Sequence, residues 1–326
     1  MKISVLGAGA WGTTLARLLQ LGHNQVTLWG HCPDHLEKLR RTRYNQKYLP
    51  GIELSSALEI ESDIARAIAG AERIVIAVPS EGFRNVTRHL VSFSGPVISV
   101  TKGIEHDSGL TMCGIIAENA PKATCVALSG PTFAIEVARG MPTAIVAASR
   151  DLAAANQAQQ LFNGPTFRVY TSTDVLGVEL GGALKNVIAI AAGVGDGLGF
   201  GDNSKAALVT RAIAEVRRLG VACGAQAETF TGLSGLGDLM VTCFSQLSRN
   251  RAFGERVGRG EKAPAIVAGL QAVAEGYPTA RSAYQVSRKL GVSTPILDEV
   301  YAMLYENKDV AKAVYALMSR DLKAED

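Results

Sequence analysis

The sequence predicts an α/β chain in two parts. An open parallel sheet with helices is expected over residues 1–180, and an all-helical part over residues 181–326. Three observations carry this. A short apolar strand at residues 2–6 runs straight into a G-x-G-x-x-G turn and a helix. The stretch at residues 73–78 is apolar without polar alternation, as in parallel strands covered on both faces. Beyond residue 170 the strand patterns stop and only helical periodicity remains. A length of 326 residues favours two domains, each able to bury a core.

The turn Gly7-Ala8-Gly9-Ala10-Trp11-Gly12 sits in the order that a dinucleotide fingerprint requires. Gly7 allows the tight turn, Gly9 lets backbone approach a pyrophosphate, and Gly12 lets the helix of residues 13–21 pack on the strand. The helix N-terminus then offers free N–H groups to phosphate. The first part therefore reads as a Rossmann-type dinucleotide-binding domain. Trp11 lies where it could wall the cofactor or simply pack. The second strand, residues 25–29, ends in Gly30-His31-Cys32 rather than in the acid that holds a ribose 2′-OH. No carboxylate stands there to repel a 2′-phosphate, and His31, Arg40 or Arg41 could bind one. The cofactor expected is NADP(H) and/or NAD(H).

A basic helix is expected over residues 34–43, a loop over 46–51, and short strands near 52–54 and 58–60. Asp63 should cap a helix ending at 69, and a helix should fill 82–90. Strands are expected at 96–100, 124–128, 143–147 and 167–170, with a helix over 151–162. Two strands end in small-residue turns, Thr101-Lys102-Gly103 and Ser129-Gly130-Pro131-Thr132-Phe133-Ala134. Strand carboxyl ends are where open α/β sheets hold ligands. Lys102 there reads equally as a substrate-anion ligand and as a surface lysine.

The central helix, residues 178–195 with Asp174 as its cap, is rich in apolar and small residues, with Lys185 in its middle. Gly181, Gly182, Ile188 and Ala189 share its face. An ammonium buried there loses hydration, which lowers its pKa and suits it to acid–base work near neutral pH; the alternative is a stem that snorkels to the surface. Helices should follow at 205–219, 252–258, 263–274, 279–290, 296–305 and 310–318. Between them lie a glycine-rich turn ending in Asp238, which could face Lys185, and Ser248-Arg249-Asn250-Arg251. Arginine grips phosphate bidentately, although an exposed basic turn has the same composition.

Net charge is +3 and no dense basic stripe occurs, so nucleic acid is not an expected partner, while a small anion is compatible. Cys32, Cys113, Cys125, Cys223 and Cys243 form no C-x-x-C pair and read as reduced thiols of a cytoplasmic protein. No signal peptide is visible, and no metal is expected. The apolar run at 187–195 is shorter than the roughly 20 residues a bilayer needs, so no membrane insertion is expected.

Together these motifs resemble the bacterial NAD(P)-dependent sn-glycerol-3-phosphate dehydrogenase family. The carriers are the glycine turn, Val100-Thr101-Lys102-Gly103-Ile104-Glu105, Ser129 to Ala134, Leu184-Lys185-Asn186-Val187, Gly232 to Leu239 and Ser248-Arg249-Asn250, in family order. The resemblance implies interconversion of dihydroxyacetone phosphate and sn-glycerol 3-phosphate, feeding glycerophospholipid synthesis, with Lys185 as general acid/base. It implies that Lys102, Gly130, Thr132, Lys185, Asp238, Ser248, Arg249 and Asn250 hold this small phosphorylated three-carbon substrate. Gly7, Gly9, Ala10, Trp11, Gly12, His31, Lys102, Ala134, Arg249 and Glu275 would contact the cofactor, and the enzyme would be a cytoplasmic homodimer. Ala10 and Thr132 stand where family members often carry serine, and the segment around Glu275 is a variant form. The competing readings are a β-hydroxyacid dehydrogenase and a non-catalytic NAD(P)-sensing protein.

Overall fold

The computed structural model describes residues 1–270, 273–322 and 324. The chain divides into two compact units, residues 1–102 with 110–179, and residues 103–109 with 180–326.

Among the described residues, the first unit holds an eight-stranded sheet: β1 (Lys2–Leu6), β2 (Gln25–Trp29), β3 (Glu59–Glu61), β4 (Arg73–Ile76), β5 (Pro96–Ser99), β6 (Thr124–Ser129), β7 (Thr143–Ala148) and β8 (Phe167–Ser172). The order is β3-β2-β1-β4-β5-β6-β7-β8, parallel throughout except between β6 and β7. Its helices are α1 (Ala10–Leu21), α2 (Pro33–Thr42), α3 (Ile64–Ile68), α4 (Ser80–Thr87), α5 (Met112–Asn119), α6 (Ala134–Ala138) and α7 (Leu152–Phe162). Val75 joins a core with Ile3, Val5, Leu15 and Phe162, whereas Ile74 and Ile76 join another with Phe83, Met112 and Ile115. Alternate residues of one strand thus enter cores on opposite faces, which is why these strands read as unbroken apolar runs.

Side-chain caps set several helix starts. Asp63 accepts from Arg66 N at 3.0 Å, and Asp151 from Ala153 N at 2.9 Å. The strand expected at 52–54 is only a single bridge, Tyr44 with Glu53. α5 and α6 were not signalled in the sequence. α5 carries a glycine and paired isoleucines that suit a strand as well, and α6 spans only five residues. The expectation of reduced thiols is corrected at one pair: Cys113 on α5 and Cys125 on β6 form a disulfide. Packing of α5 on its sheet brings together two cysteines twelve positions apart, a spacing outside the C-x-x-C pattern.

Asp174 accepts from Gly177 N at 2.9 Å and caps α8 (Val175–Gly197), and the division between the units falls inside this helix. At 23 residues α8 is long and apolar enough to span a bilayer by composition, contrary to the length inferred from residues 187–195. Its most apolar window is 83% buried inside the protein, as in a core helix. The second unit continues with α9 (Asp202–Ala222), α10 (Asp238–Phe244), α11 (Arg249–Gly258), α12 (Ala263–Ala268), α13 (Gly276–Leu290), α14 (Pro295–Tyr305) and α15 (Val310–Met318). The helix expected over 263–274 stops at Ala268 before Gly269; residues 271 and 272 lie outside the described residues.

Glycines explain how closely α8 and α11 approach. A Cβ on Gly193 would lie 1.9 Å from the Arg251 carbonyl oxygen, and one on Gly254 would lie 2.0 Å from that of Ile190. Gly197 and Gly258 repeat the contact one turn on, at 2.3 Å from Glu255 O and 2.4 Å from Val194 O. Each helix therefore presents a G-x-x-x-G row to the other, and the backbones touch.

Candidate active site

In the first unit the candidate residues follow strands whose carboxyl ends share one sheet edge. Gly7 follows β1 with φ +130°, and a Cβ there would stand 2.4 Å from the Ala77 carbonyl oxygen. A Cβ on Gly12 would stand 1.8 Å from Gly7 O, so the turn closes only with glycine at both positions. Gly9 precedes α1 with no side-chain cap, and nothing lies within 4 Å of where its Cβ would be. The first N–H groups of α1 are therefore left to solvent or to an anion, beside open space. Trp11 is partly buried against the sheet core, and Ala10 is partly exposed. These features fit a dinucleotide pyrophosphate.

His31 is exposed after β2, and the next acid, Asp34, already lies in the first turn of α2. Arg40 is engaged elsewhere, by Glu37 and by the Ile60 carbonyl at 2.9 Å. After β5 and β6, Lys102 Nζ donates to the Gly130 carbonyl at 3.0 Å, and Thr132 Oγ1 donates to the same oxygen at 3.1 Å. Gly130 has φ +159° and packs against Ile145 of β7. Ala134 opens α6, and its carbonyl accepts from Thr14 Oγ1 at 3.1 Å, which ties α6 to α1.

In the second unit Lys185 is 8% exposed. Its Nζ donates to Asp238 Oδ1 at 2.6 Å and to Thr242 Oγ1 at 2.7 Å. The ammonium is thus buried with a carboxylate and a hydroxyl, which offsets its lost hydration. Asp238 arrives there because residues 233–237 form a wide helical turn that packs on α8: a Cβ on Gly181 would stand 2.7 Å from Ser234 O. Thr242, one turn later on α10, also donates to the Asp238 carbonyl at 2.6 Å.

A second chain of contacts links three helices. Asn250 Nδ2 donates to Asn186 Oδ1 at 2.8 Å, and Gly276 N donates to Asn250 Oδ1 at 2.9 Å. Ser248 caps α11 by accepting from Arg251 N at 3.2 Å. The two arginines of this segment behave differently. Arg251 is buried, donating to Asp196, Gln246 and the Ser245 carbonyl. Arg249 is exposed at its surface yet crowded, so lost hydration lowers its pKa, while the nearby Glu275 charge raises it. Arg249 is thus an accessible cation in a walled setting, suited to a phosphate. No cluster of three potential metal-ligating side chains occurs among the described residues.

Comparison with known proteins bears on both units. The family model described as the NAD-dependent glycerol-3-phosphate dehydrogenase N-terminus matches residues 2–155, and that for the C-terminus matches residues 174–315. A Geobacter sulfurreducens protein named glycerol-3-phosphate dehydrogenase [NAD(P)+] is 50% identical, covering 99% of this chain and 98% of its own. This chain belongs to the NAD-dependent glycerol-3-phosphate dehydrogenase family. A Geobacter metallireducens relative of the same name is 49% identical over 99% of this chain and 98% of its own. The crystal structure of glycerol-3-phosphate dehydrogenase from Coxiella burnetii superposes with a TM-score of 0.94 at 34% identity, covering 98% of this chain and 99% of that one.

Sequence reasoning about this family member overlooked Thr242 as a partner of Lys185. The available signal was its position four residues after Asp238, on the same face of what turned out to be α10. It also missed Asn186 as the partner of Asn250; Asn186 was visible only as the neighbour of Lys185.

Proposed function

We propose that this enzyme interconverts dihydroxyacetone phosphate and sn-glycerol 3-phosphate with NAD(P)H and NAD(P)+, and that Lys185 is its general acid/base. The observation that carries the proton-transfer assignment is a buried ammonium held by Asp238 and Thr242, in a chain that matches the family over both halves.

Gly7, Gly9, Gly12 and the start of α1 would hold the dinucleotide pyrophosphate, with Trp11, His31, Lys102, Ala134, Arg249 and Glu275 as further contacts. The nicotinamide, when bound, supplies or accepts the hydride at C2 of the substrate. Lys185 donates a proton to the C2 oxygen as negative charge grows on it, and its neutral amine takes that proton back from the alcohol in reverse. Asp238 and Thr242 fix the direction of Nζ. Arg249 binds the phosphate as a planar fork, with Lys102, Gly130, Thr132, Ser248 and Asn250 as further substrate contacts. The absence of a carboxylate at the end of β2 supports acceptance of NADP(H) alongside NAD(H).

The homodimer, the cytoplasmic location and the supply of phospholipid glycerol belong to the same reading and rest on the family resemblance. Oxidation of NADPH and NADH by the purified enzyme, followed with dihydroxyacetone phosphate and separately with 3-keto acids, tests the activity. Turnover of the phosphate ester alone is expected; turnover of the keto acids alone would contradict it.

A further inference from the structure

The loop at residues 43–54 has no assigned role, yet it delivers a buried amide to the back of the glycine turn. The Tyr44–Glu53 bridge closes it, reinforced by Leu54 N donating to Arg43 O at 2.9 Å. Tyr48 N and Leu49 N both donate to the Asn45 carbonyl, at 3.2 and 2.7 Å, and Leu49 and Leu54 are buried. The loop is thus a fixed turn with Asn45 pointing inward, 1% exposed. Both amide protons of Asn45 are used: Nδ2 donates to Ala8 O at 3.0 Å and to Thr13 Oγ1 at 2.7 Å. Its Oδ1 is buried with no partner among the described residues. Keeping a buried amide with half its capacity unmet is costly, so its other half must be stabilising something.

The two groups it holds are informative. Ala8 and Gly9 share a trans peptide, so the Ala8 carbonyl and the Gly9 N–H point in opposite directions. Holding the carbonyl from behind turns the Gly9 N–H away from Asn45, and nothing lies within 4 Å of where a Gly9 Cβ would stand. Thr13 lies in the first turn of α1, so the same amide also fixes that turn against Ala8. On the other side, Gly7 N donates to Trp29 O at 2.9 Å, so the turn is braced from two directions. His35 adds a further contact to the Ala8 backbone, and its ring meets Tyr48 of the loop edge-on at 5.2 Å.

The geometry points to Asn45 as a positioning residue for the cofactor: by clamping Ala8 and Thr13 it presets the N–H groups that receive the dinucleotide pyrophosphate. Asn45 acts through the turn and does not touch the cofactor itself. The inference rests on the glycine turn being the pyrophosphate site. It separates Asn45 from the residues that bind substrate, because loss of the clamp loosens one ligand and spares the other.

The test is steady-state kinetics and fluorescence titration of Asn45→Ala, Asn45→Asp and Thr13→Val against wild type. With Asn45→Ala, the KM and Kd for NAD(P)H are expected to rise about 10-fold or more, the scale of one lost buried hydrogen bond. The aspartate, which presents an anion to the Ala8 carbonyl, should raise them further. The KM for dihydroxyacetone phosphate should stay within about twofold and kcat within about threefold, since a lost ground-state contact acts on binding. A purely structural asparagine would instead lower thermal stability and the active fraction at unchanged cofactor KM, and that result overturns the inference. Should Asn45→Ala fail to fold, Thr13→Val, which removes only one arm of the clamp, carries the test: a rise of about threefold in cofactor KM supports it, and no change overturns it. Wild-type protein that bound neither NADH nor NADPH would overturn the cofactor reading itself, and with it this role for Asn45.

Discussion

The hydroxyl of Thr242 lies 2.7 Å from Nζ of Lys185 and donates back to the Asp238 carbonyl one turn earlier on α10. Lys185 therefore has two oxygen partners from one helix face, and its ammonium is aimed by both. Thr242→Val should leave the carboxylate in place and remove the second acceptor. A lost buried hydrogen bond to a charged group is worth about 1.5–3 kcal/mol. We expect kcat to fall about 10- to 100-fold with little change in either KM; an unchanged kcat would show that this hydroxyl does not position the amine.

Arg249 should govern phosphate affinity. It is accessible, whereas Arg251, two residues on, is buried among Asp196, Gln246 and Ser245. Arg249→Ala is expected to raise the KM for dihydroxyacetone phosphate about 10- to 100-fold while the protein stays folded, since charge-assisted bonds to phosphate are the strong ones. Arg251→Ala should instead lower the melting temperature, because it leaves Asp196 with one cation fewer. Equal effects of the two on substrate KM would contradict this division.

The G-x-x-x-G rows make a packing prediction. Gly254→Ala places a methyl group 2.0 Å from the Ile190 carbonyl oxygen, a backbone atom with no room to retreat. Overpacking typically costs about 1–3 kcal/mol, and a clash with backbone sits at or above the upper end. Chemical denaturation should show the loss. Gly260, with nothing within 4 Å of its Cβ position but φ +94°, should tolerate alanine better, losing only the cost of a left-handed backbone.

Two buried carboxyls predict a pH dependence of stability. Burial pushes Glu215 up to about 7 against the pull of Leu297 N, Ile296 N and Arg218. Burial likewise pushes Glu179 to about 7, opposed by bonds from Thr111 and Cys113. An unfolded glutamate titrates near about 4.3. Between those values the folded protein keeps protons that the unfolded chain releases, so these groups lower stability as pH rises from about 4.3 to about 7, with no further loss above. His35, whose pKa is lowered mainly by burial, acts in the opposite direction just below about 6.5. The clean measurement is therefore a difference: Glu215→Gln should gain stability relative to wild type as pH is raised from 5 to 8. A difference that is flat or falling contradicts the assignment.

Thiol chemistry separates four of the five cysteines. Cys32 is exposed, Cys243 is buried with its thiol pushed up to about 12, mainly by burial, and Cys113 and Cys125 are joined. Alkylation of the native protein near pH 8 should label Cys32 and spare Cys243, because thiolate is the reactive form. Cys113 and Cys125 should resist until a reductant is added. Labelling of both without reductant would show them to be free thiols.

How much of this could be read in advance depends on the range of each interaction. The glycine turn, the caps at Asp63 and Asp174 and the strand ends were legible because each is written within a few consecutive residues. Lys185 stood out because a cation sits in the middle of a helix rich in apolar and small residues. Its partner Thr242, 57 positions away, and the Cys113–Cys125 bond depend on packing that no local pattern encodes. Asn45 sits in a segment that reads only as a loop, and its role became visible once its amide was found against Ala8. The strand expected at 52–54 shrank to a bridge because that segment closes the same loop.

The central claim is that Lys185 moves the proton that accompanies hydride transfer. Its most direct test is the single-turnover rate of NADPH oxidation by Lys185→Ala with saturating dihydroxyacetone phosphate, on protein shown by circular dichroism to be folded and by titration to bind NADPH. General acid–base help is worth about 10² to 10⁴ in rate. A loss of that size, with cofactor affinity retained, is the predicted result; a rate within about threefold of wild type would contradict the account.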